Sequence, residues 1–149
     1  VSSTPLPLWK PAKMPIPSKK IGTSAPVASP RTEGELQALC EKYLEMAGIL
    51  YTRVPDNLWN FIMGTRKSTN KNTTAMRMSA IKYLAGVPDF LIFGQYPNGE
   101  AACLLIELKT EKGKLRASQV EFAKSTTVYV VRSFQDFVSI VEKWQALLK

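Results

Sequence analysis

Gly86-Val87-Pro88-Asp89-Phe90-Leu91-Ile92-Phe93, then Tyr96-Pro97-Asn98-Gly99-Glu100, then Ala101-Ala102-Cys103-Leu104-Leu105-Ile106-Glu107-Leu108-Lys109 is the stretch on which the architecture turns. Two apolar segments, 87–93 and 101–109, flank a Pro followed by Asn-Gly, which is a hairpin-turn signal. Folding the chain about Asn98 sets Asp89 opposite Glu107, and directly opposed residues hold their Cβ atoms roughly 4.5–5.5 Å apart. Two carboxylates that close repel each other unless a cation lies between them. Hard oxygen ligands at such spacing suit Mg²⁺ or Mn²⁺. Lys109 shares the face of Glu107, because side chains alternate along a strand.

A Glu-x-Lys at a strand end is ordinarily a solvated pair. Here the frame is apolar: Glu107 sits within Leu104-Leu105-Ile106-Glu107-Leu108, and Asp89 lies between Val87-Pro88 and Phe90-Leu91-Ile92-Phe93. Burying an unpaired carboxylate costs several kcal/mol, so charges in core strands need a reason. An ammonium beside a bound divalent ion holds and helps deprotonate a water, or neutralises a phosphate oxygen.

Upstream, Leu36, Leu39, Cys40, Tyr43, Leu44 and Ala47 recur at helical spacing as one apolar stripe. Thr32 and Glu35 predict a capping box and Gly48 the stop. Residues 49–54 alternate as a strand. Residues 56–85 carry weak signals: Trp59, Phe61 and Ile62 precede a polar run at 65–74, which predicts an irregular or short-helical basic insertion. Trp59 and Phe61 are read as core packing, with stacking on an unpaired base as the alternative. Downstream, a basic turn leads to a helix over 117–124 with Ser118 and Glu121 as its capping box. A β-branched strand follows at 128–131. Ser133 and Asp136 then cap a last helix that carries Phe137, Ile140, Val141, Trp144, Leu147 and Leu148 on one face. The order α-β-(basic insertion)-β-β-α-β-α predicts an α/β fold with a central mixed sheet.

Gly86-Val87-Pro88-Asp89-Phe90, then Ile106-Glu107-Leu108-Lys109-Thr110, then Gly113-Lys114-Leu115-Arg116 and Gln119, together resemble the PD-(D/E)XK nuclease superfamily. More narrowly, the chain resembles stand-alone viral and phage members of the virus-type replication-repair nuclease (VRR-NUC) family, over residues 32 to about 142. The resemblance implies a restriction-endonuclease-like α/β/α core. In it, Asp89, Glu107 and the Leu108 backbone carbonyl bind Mg²⁺, which Mn²⁺ can replace, while Lys109 positions the attacking water. It also implies a glutamate on the first helix, for which Glu33 fits best and Glu35 competes, and a supporting Gln119. Two features depart from the pattern. Pro55-Asp56 is a second Pro-Asp with no Glu-x-Lys strand at hairpin distance, and is read as a decoy. Ser125-Thr126-Thr127 stands where the family usually has a Gly.

The composition agrees with nucleic-acid chemistry. The chain has 149 residues, 20 Lys+Arg against 12 Asp+Glu, and no His, for a net charge of +8. Without His there is no Ser-His-Asp or Cys-His catalysis and no His-containing zinc site. Cys40 and Cys103 are too few for a zinc site or a secreted disulfide framework, and read as small buried hydrophobes of a reducing compartment. The longest apolar run, 101–106, is far short of a spanning helix, and residues 1–31 show no signal-peptide pattern. A cytoplasmic location, inside a host cell for a phage protein, and no membrane contact are therefore expected.

Residues 1–31 hold seven of the ten prolines and five basic side chains with no acid, a basic Pro-rich arm ahead of a domain at 32–149. The arm reads as a solvated tail or strap, or as an electrostatic tether for nucleic acid, with Trp9 as an anchor point. Arg53, Arg66, Lys67, Lys71, Arg77, Lys82, Lys112, Lys114 and Arg116 are candidates to track a phosphate backbone. No segment reads as a base-reading helix, which favours recognition of DNA shape.

These features lead to a metal-dependent, structure-specific endodeoxyribonuclease serving DNA repair or recombination. The resemblance implies branched DNA such as a Holliday junction as substrate and a homodimer as the working unit. Two rivals stand beside it: a sequence-specific restriction-type endonuclease, and a non-catalytic DNA-binding or virion docking protein on the same fold. Cutting of a linear duplex at one defined sequence would select the first. Unchanged binding and no metal response in Asp89→Ala would select the second.

Overall fold

Thr32 begins the first helix, α1 (Glu33–Ala47), as the capping pattern requires: its hydroxyl accepts from the Glu35 amide at 3.1 Å, and the Glu35 carboxylate accepts from the Thr32 amide at 3.4 Å. Gly48 ends it in the left-handed conformation, φ 66°. The computed structural model describes residues 30–149. Apart from Pro30 and Arg31, the basic arm and Trp9 lie outside the described residues.

The chain continues through β1 (Tyr51–Thr52), α2 (Asp56–Gly64), a 3-10 turn (Thr65–Lys67), α3 (Lys71–Leu84), β2 (Phe90–Gln95), β3 (Ala101–Leu108), α4 (Ala117–Ser125), β4 (Tyr129–Val131) and α5 (Phe134–Leu147). The four strands form one mixed sheet in the order β1-β2-β3-β4, with β3 and β4 parallel. The hairpin has the expected register, from Phe90 opposite Ile106 to Gln95 opposite Ala101. Continuing it by one residue sets Asp89 opposite Glu107.

Leu36, Cys40 and Leu44 of α1 and Phe137 and Val141 of α5 pack on Phe90, Ile92, Leu104, Ile106, Leu108 and Val131 of the sheet. Ile106 and Leu108 face this core, so Glu107 between them faces the other side, where α4 meets it. That second side is thinly covered: α4 buries none of its residues, and Phe93, Cys103 and Val130 are exposed.

Several expectations are corrected. Of the two expectations for the segment at 56–85, the helical one holds and the irregular one does not: it forms two helices, α2 and α3, of nine and fourteen residues. Asn70 supplies the cap of α3, its side-chain oxygen accepting from the Asn72 and Thr73 amides at 2.9 and 3.2 Å. The inward stripe of α3 is Thr73, Arg77, Ala80 and Leu84, half polar, which hides its helical period. The first strand keeps only two of its six expected residues in the ladder, since Pro55 brings in α2. The expected Ser118–Glu121 cap is not used: α4 starts after Arg116, whose amide donates to Gln119 Oε1 at 2.8 Å, while Glu121 pairs with Lys124 at 2.6 Å. Cys40 is buried as expected, but Cys103 lies on the sheet's open face and is exposed. Phe61 and Leu147 are also exposed instead of packed in the core. No helix among the described residues is long and apolar enough to cross a membrane.

Candidate active site

Asp89 stands immediately before β2, Glu107 near the end of β3 with Lys109 just beyond it, Gln119 in the first turn of α4 and Glu33 at the first residue of α1. All five line one cleft, together with Val54, Asp56, Trp59 and the turn at 84–88. The fold therefore brings the five carried from the sequence to one place. The cleft encloses about 80 Å³, room for several waters but not for a nucleobase. Any polymer must lie across its mouth.

Glu107 is 1% exposed and Lys109 is 7% exposed. Glu107 Oε1 accepts from both the Lys109 ammonium and the Gln119 amide nitrogen. Its other oxygen, Oε2, is buried with no hydrogen-bond partner among the described residues. A buried carboxylate oxygen left unpaired is costly, and marks where a further positive group belongs. On the facing strand, Asp89 Oδ2 accepts the Leu108 amide at 2.6 Å. Burial first, and the Glu107 charge second, push the Asp89 carboxyl up to about 7 from 3.8, against the opposing pull of the Leu108 amide and Lys109. Glu33 Oε1 stands 3.8 Å from the Lys109 ammonium on a half-exposed side chain. Glu35 is occupied with its cap, so Glu33 is the first-helix carboxylate at this site.

The donor set fits a small hard cation. Two carboxylates, Asp89 and a Glu107 with one unpartnered oxygen, match Mg²⁺, which keeps several waters and takes only one or two protein carboxylates. Among the described residues, no group of three or more His, Cys, Asp or Glu is placed to hold a metal ion by itself.

Two supports escaped the sequence reading. Gly86, at φ +80°, packs on α4 so closely that a Cβ there would lie 2.3 Å from the Ser118 carbonyl oxygen. This contact sets how near α4, and with it Gln119, approaches Glu107. Arg132 Nη1 donates to the carbonyls of Thr110, Glu111 and Gly113 at 2.5, 3.1 and 2.9 Å, fixing the turn that follows Lys109. Neither has a local sequence signal, because each partner is distant along the chain. Asp56, dismissed as a decoy, opens α2 and leads into no strand, yet it lines the cleft. Trp59 lines it as well.

The candidate phosphate-tracking cations separate into two groups. Arg53 pairs with Glu41, and Arg77 donates to the Thr65 carbonyl at 2.6 Å, so both have internal partners. Arg66, Lys67, Lys71, Lys82, Lys112, Lys114 and Arg116 are exposed, and Arg116 borders the cleft. No family model, no curated protein and no solved structure matches the chain.

Proposed function

We propose that the chain is a metal-dependent endodeoxyribonuclease with a restriction-endonuclease-like α/β/α core, a member of the VRR-NUC type, cutting branched DNA as a homodimer. The observation that carries this reading is Glu107: wholly buried, one oxygen held by Lys109 and Gln119, the other unpartnered beside Asp89. A silent docking domain would gain nothing from such a costly arrangement.

Asp89, Glu107 Oε2 and the Leu108 carbonyl are the groups that would hold Mg²⁺. In extended backbone a residue's N–H and C=O point to the same side, and the Leu108 N–H points at Asp89. When bound, the ion supplies positive charge to the scissile phosphate and lowers the pKa of water. The chain's own groups do the rest. Glu107 Oε1, itself held by the Gln119 amide, anchors the Lys109 ammonium through one hydrogen bond, so the ammonium keeps donors free for the attacking water or a phosphate oxygen. Glu33 approaches that ammonium from α1 and limits its swing. Arg116 borders the cleft and, with the exposed Lys112 and Lys114 of the preceding turn, would neutralise flanking phosphates. Hydrolysis of both strands of a junction needs two such sites, which a symmetric dimer supplies.

The test is cleavage of a labelled four-way junction and a matched linear duplex, in Mg²⁺ or EDTA, by the parent and by Lys109→Ala. Metal-dependent junction cutting, lost in the variant, is expected. Intact junctions, flaps and nicked duplexes after incubation with parent and Mg²⁺ would end the nuclease reading.

A further inference from the structure

The helical hairpin between β1 and β2 is unused by the site chemistry, although both its ends border the cleft: Asp56 and Trp59 at the start, Leu84 and Ala85 at the exit. Its packing is chiefly internal, α2 and α3 against each other and against the turn between them. Over residues 56–84 it carries five cations, Arg66, Lys67, Lys71, Arg77 and Lys82, against Asp56 alone.

The face that α3 turns outward is ordered. At 3.6 residues per turn, Lys71, Ala75, Met78 and Lys82 form one stripe, opposite the inward stripe of Thr73, Arg77, Ala80 and Leu84. All four outward residues are exposed, Met78 to 57%. From Lys71 to Lys82 the stripe runs eleven residues, about 16 Å along the axis. The major groove of duplex DNA is about 12 Å wide and admits one α-helix. A helix with a lysine at each end and small or flexible apolar side chains between matches that groove: the lysines meet phosphates of the two backbones, and Ala75 and Met78 face base edges and thymine methyls.

We infer that α3 is a groove-binding helix for duplex nucleic acid, holding one arm of the substrate so that its backbone runs to the cleft at the base of the hairpin. Nucleic acid as the occupant rests on the nuclease reading above, together with the hairpin's charge. A second copy of the chain is the poorer occupant, since the same stripe would set lysines against lysines. The apolar part of the stripe gives little base discrimination, in keeping with recognition of shape.

The experiment measures binding of the 149-residue parent, Lys71→Ala/Lys82→Ala and Met78→Glu to labelled duplex and four-way junction in EDTA, over a salt series. Cleavage in Mg²⁺ and mass by sedimentation are read on the same preparations. The substitutions are on exposed positions, and circular dichroism checks the fold. The double variant should lower the slope of log affinity against log salt by about 2, and Met78→Glu should weaken binding at least tenfold. Parent-like affinity and slope in the double variant would overturn the groove assignment, even with cleavage intact. Binding with the expected losses but no cutting by parent would leave the groove and remove the nuclease. A dimeric parent made monomeric by Met78→Glu, with duplex affinity unchanged, would assign the stripe to a second copy instead.

Discussion

Replacing Asp89 by Asn tests the heart of the site without any substrate. In the folded protein the Asp89 carboxyl is held at about 7 against an ordinary 3.8, by burial and by the Glu107 charge. An acid whose folded pKa is raised favours the folded state while protonated. That contribution is complete below the unfolded value and is lost as the pH rises through about 7. Raising the carboxyl from 3.8 to about 7, at about 1.36 kcal/mol per pH unit, makes the loss roughly 4 kcal/mol. Asn keeps an oxygen for the Leu108 amide but does not ionise. Urea unfolding in EDTA, from about pH 4 to about pH 8.5, should therefore show the parent losing roughly 4 kcal/mol relative to Asp89→Asn as the pH rises. Added Mg²⁺ at the alkaline end should restore the parent far more than the variant, because the ion binds the ionised carboxylates of the folded state. A stability difference that stays constant with pH, or equal stabilisation of both proteins by Mg²⁺, would refute the account of a strained carboxylate pair awaiting a cation.

Three further outcomes follow from the same geometry. Glu107→Gln leaves the buried Lys109 ammonium only the half-exposed Glu33 carboxylate at 3.8 Å, and should cost about 3 kcal/mol in urea unfolding; a loss under about 1 kcal/mol would mean that Lys109 escapes to solvent. Gly86→Ala places a Cβ against the Ser118 carbonyl at a positive φ, and should cost about 1–3 kcal/mol while pushing α4 away from Glu107. Unchanged stability together with unchanged Gln119 amide shifts by NMR would show that contact to be slack. Arg132→Ala removes one donor shared by three carbonyls, so the turn at 110–113 should be cut by trypsin at Lys112 faster than in the parent; equal rates would show that the turn holds itself.

The hairpin register was legible without a structure, because Pro97-Asn98-Gly99 sets the turn and strand alternation carries the pairing down to Asp89 and Glu107. The cap of α1 and that of α5 were equally legible, since each rests on contacts three residues apart. The pair of carboxylates and Lys109 could be named from local pattern, whereas the early glutamate came only from the family resemblance. What the pattern could not give was the environment. That Glu107 has one satisfied and one orphaned oxygen depends on Gln119 from α4 and Lys109 from beyond β3 both reaching Oε1, and the choice of Glu33 over Glu35 depends on where α1 meets the end of β3. The hairpin at 56–84 was hidden because its inward stripe is half polar and its packing internal, so no apolar period announced it. Arg53 and Arg77 looked free only because Glu41 and the Thr65 carbonyl are each twelve residues away. Local sequence determines turns, caps and register, whose energies come from near neighbours along the chain. Burial, the sharing of one oxygen by two donors, and the difference between an exposed cation and a paired one come from contacts across it, and those only the folded chain decides.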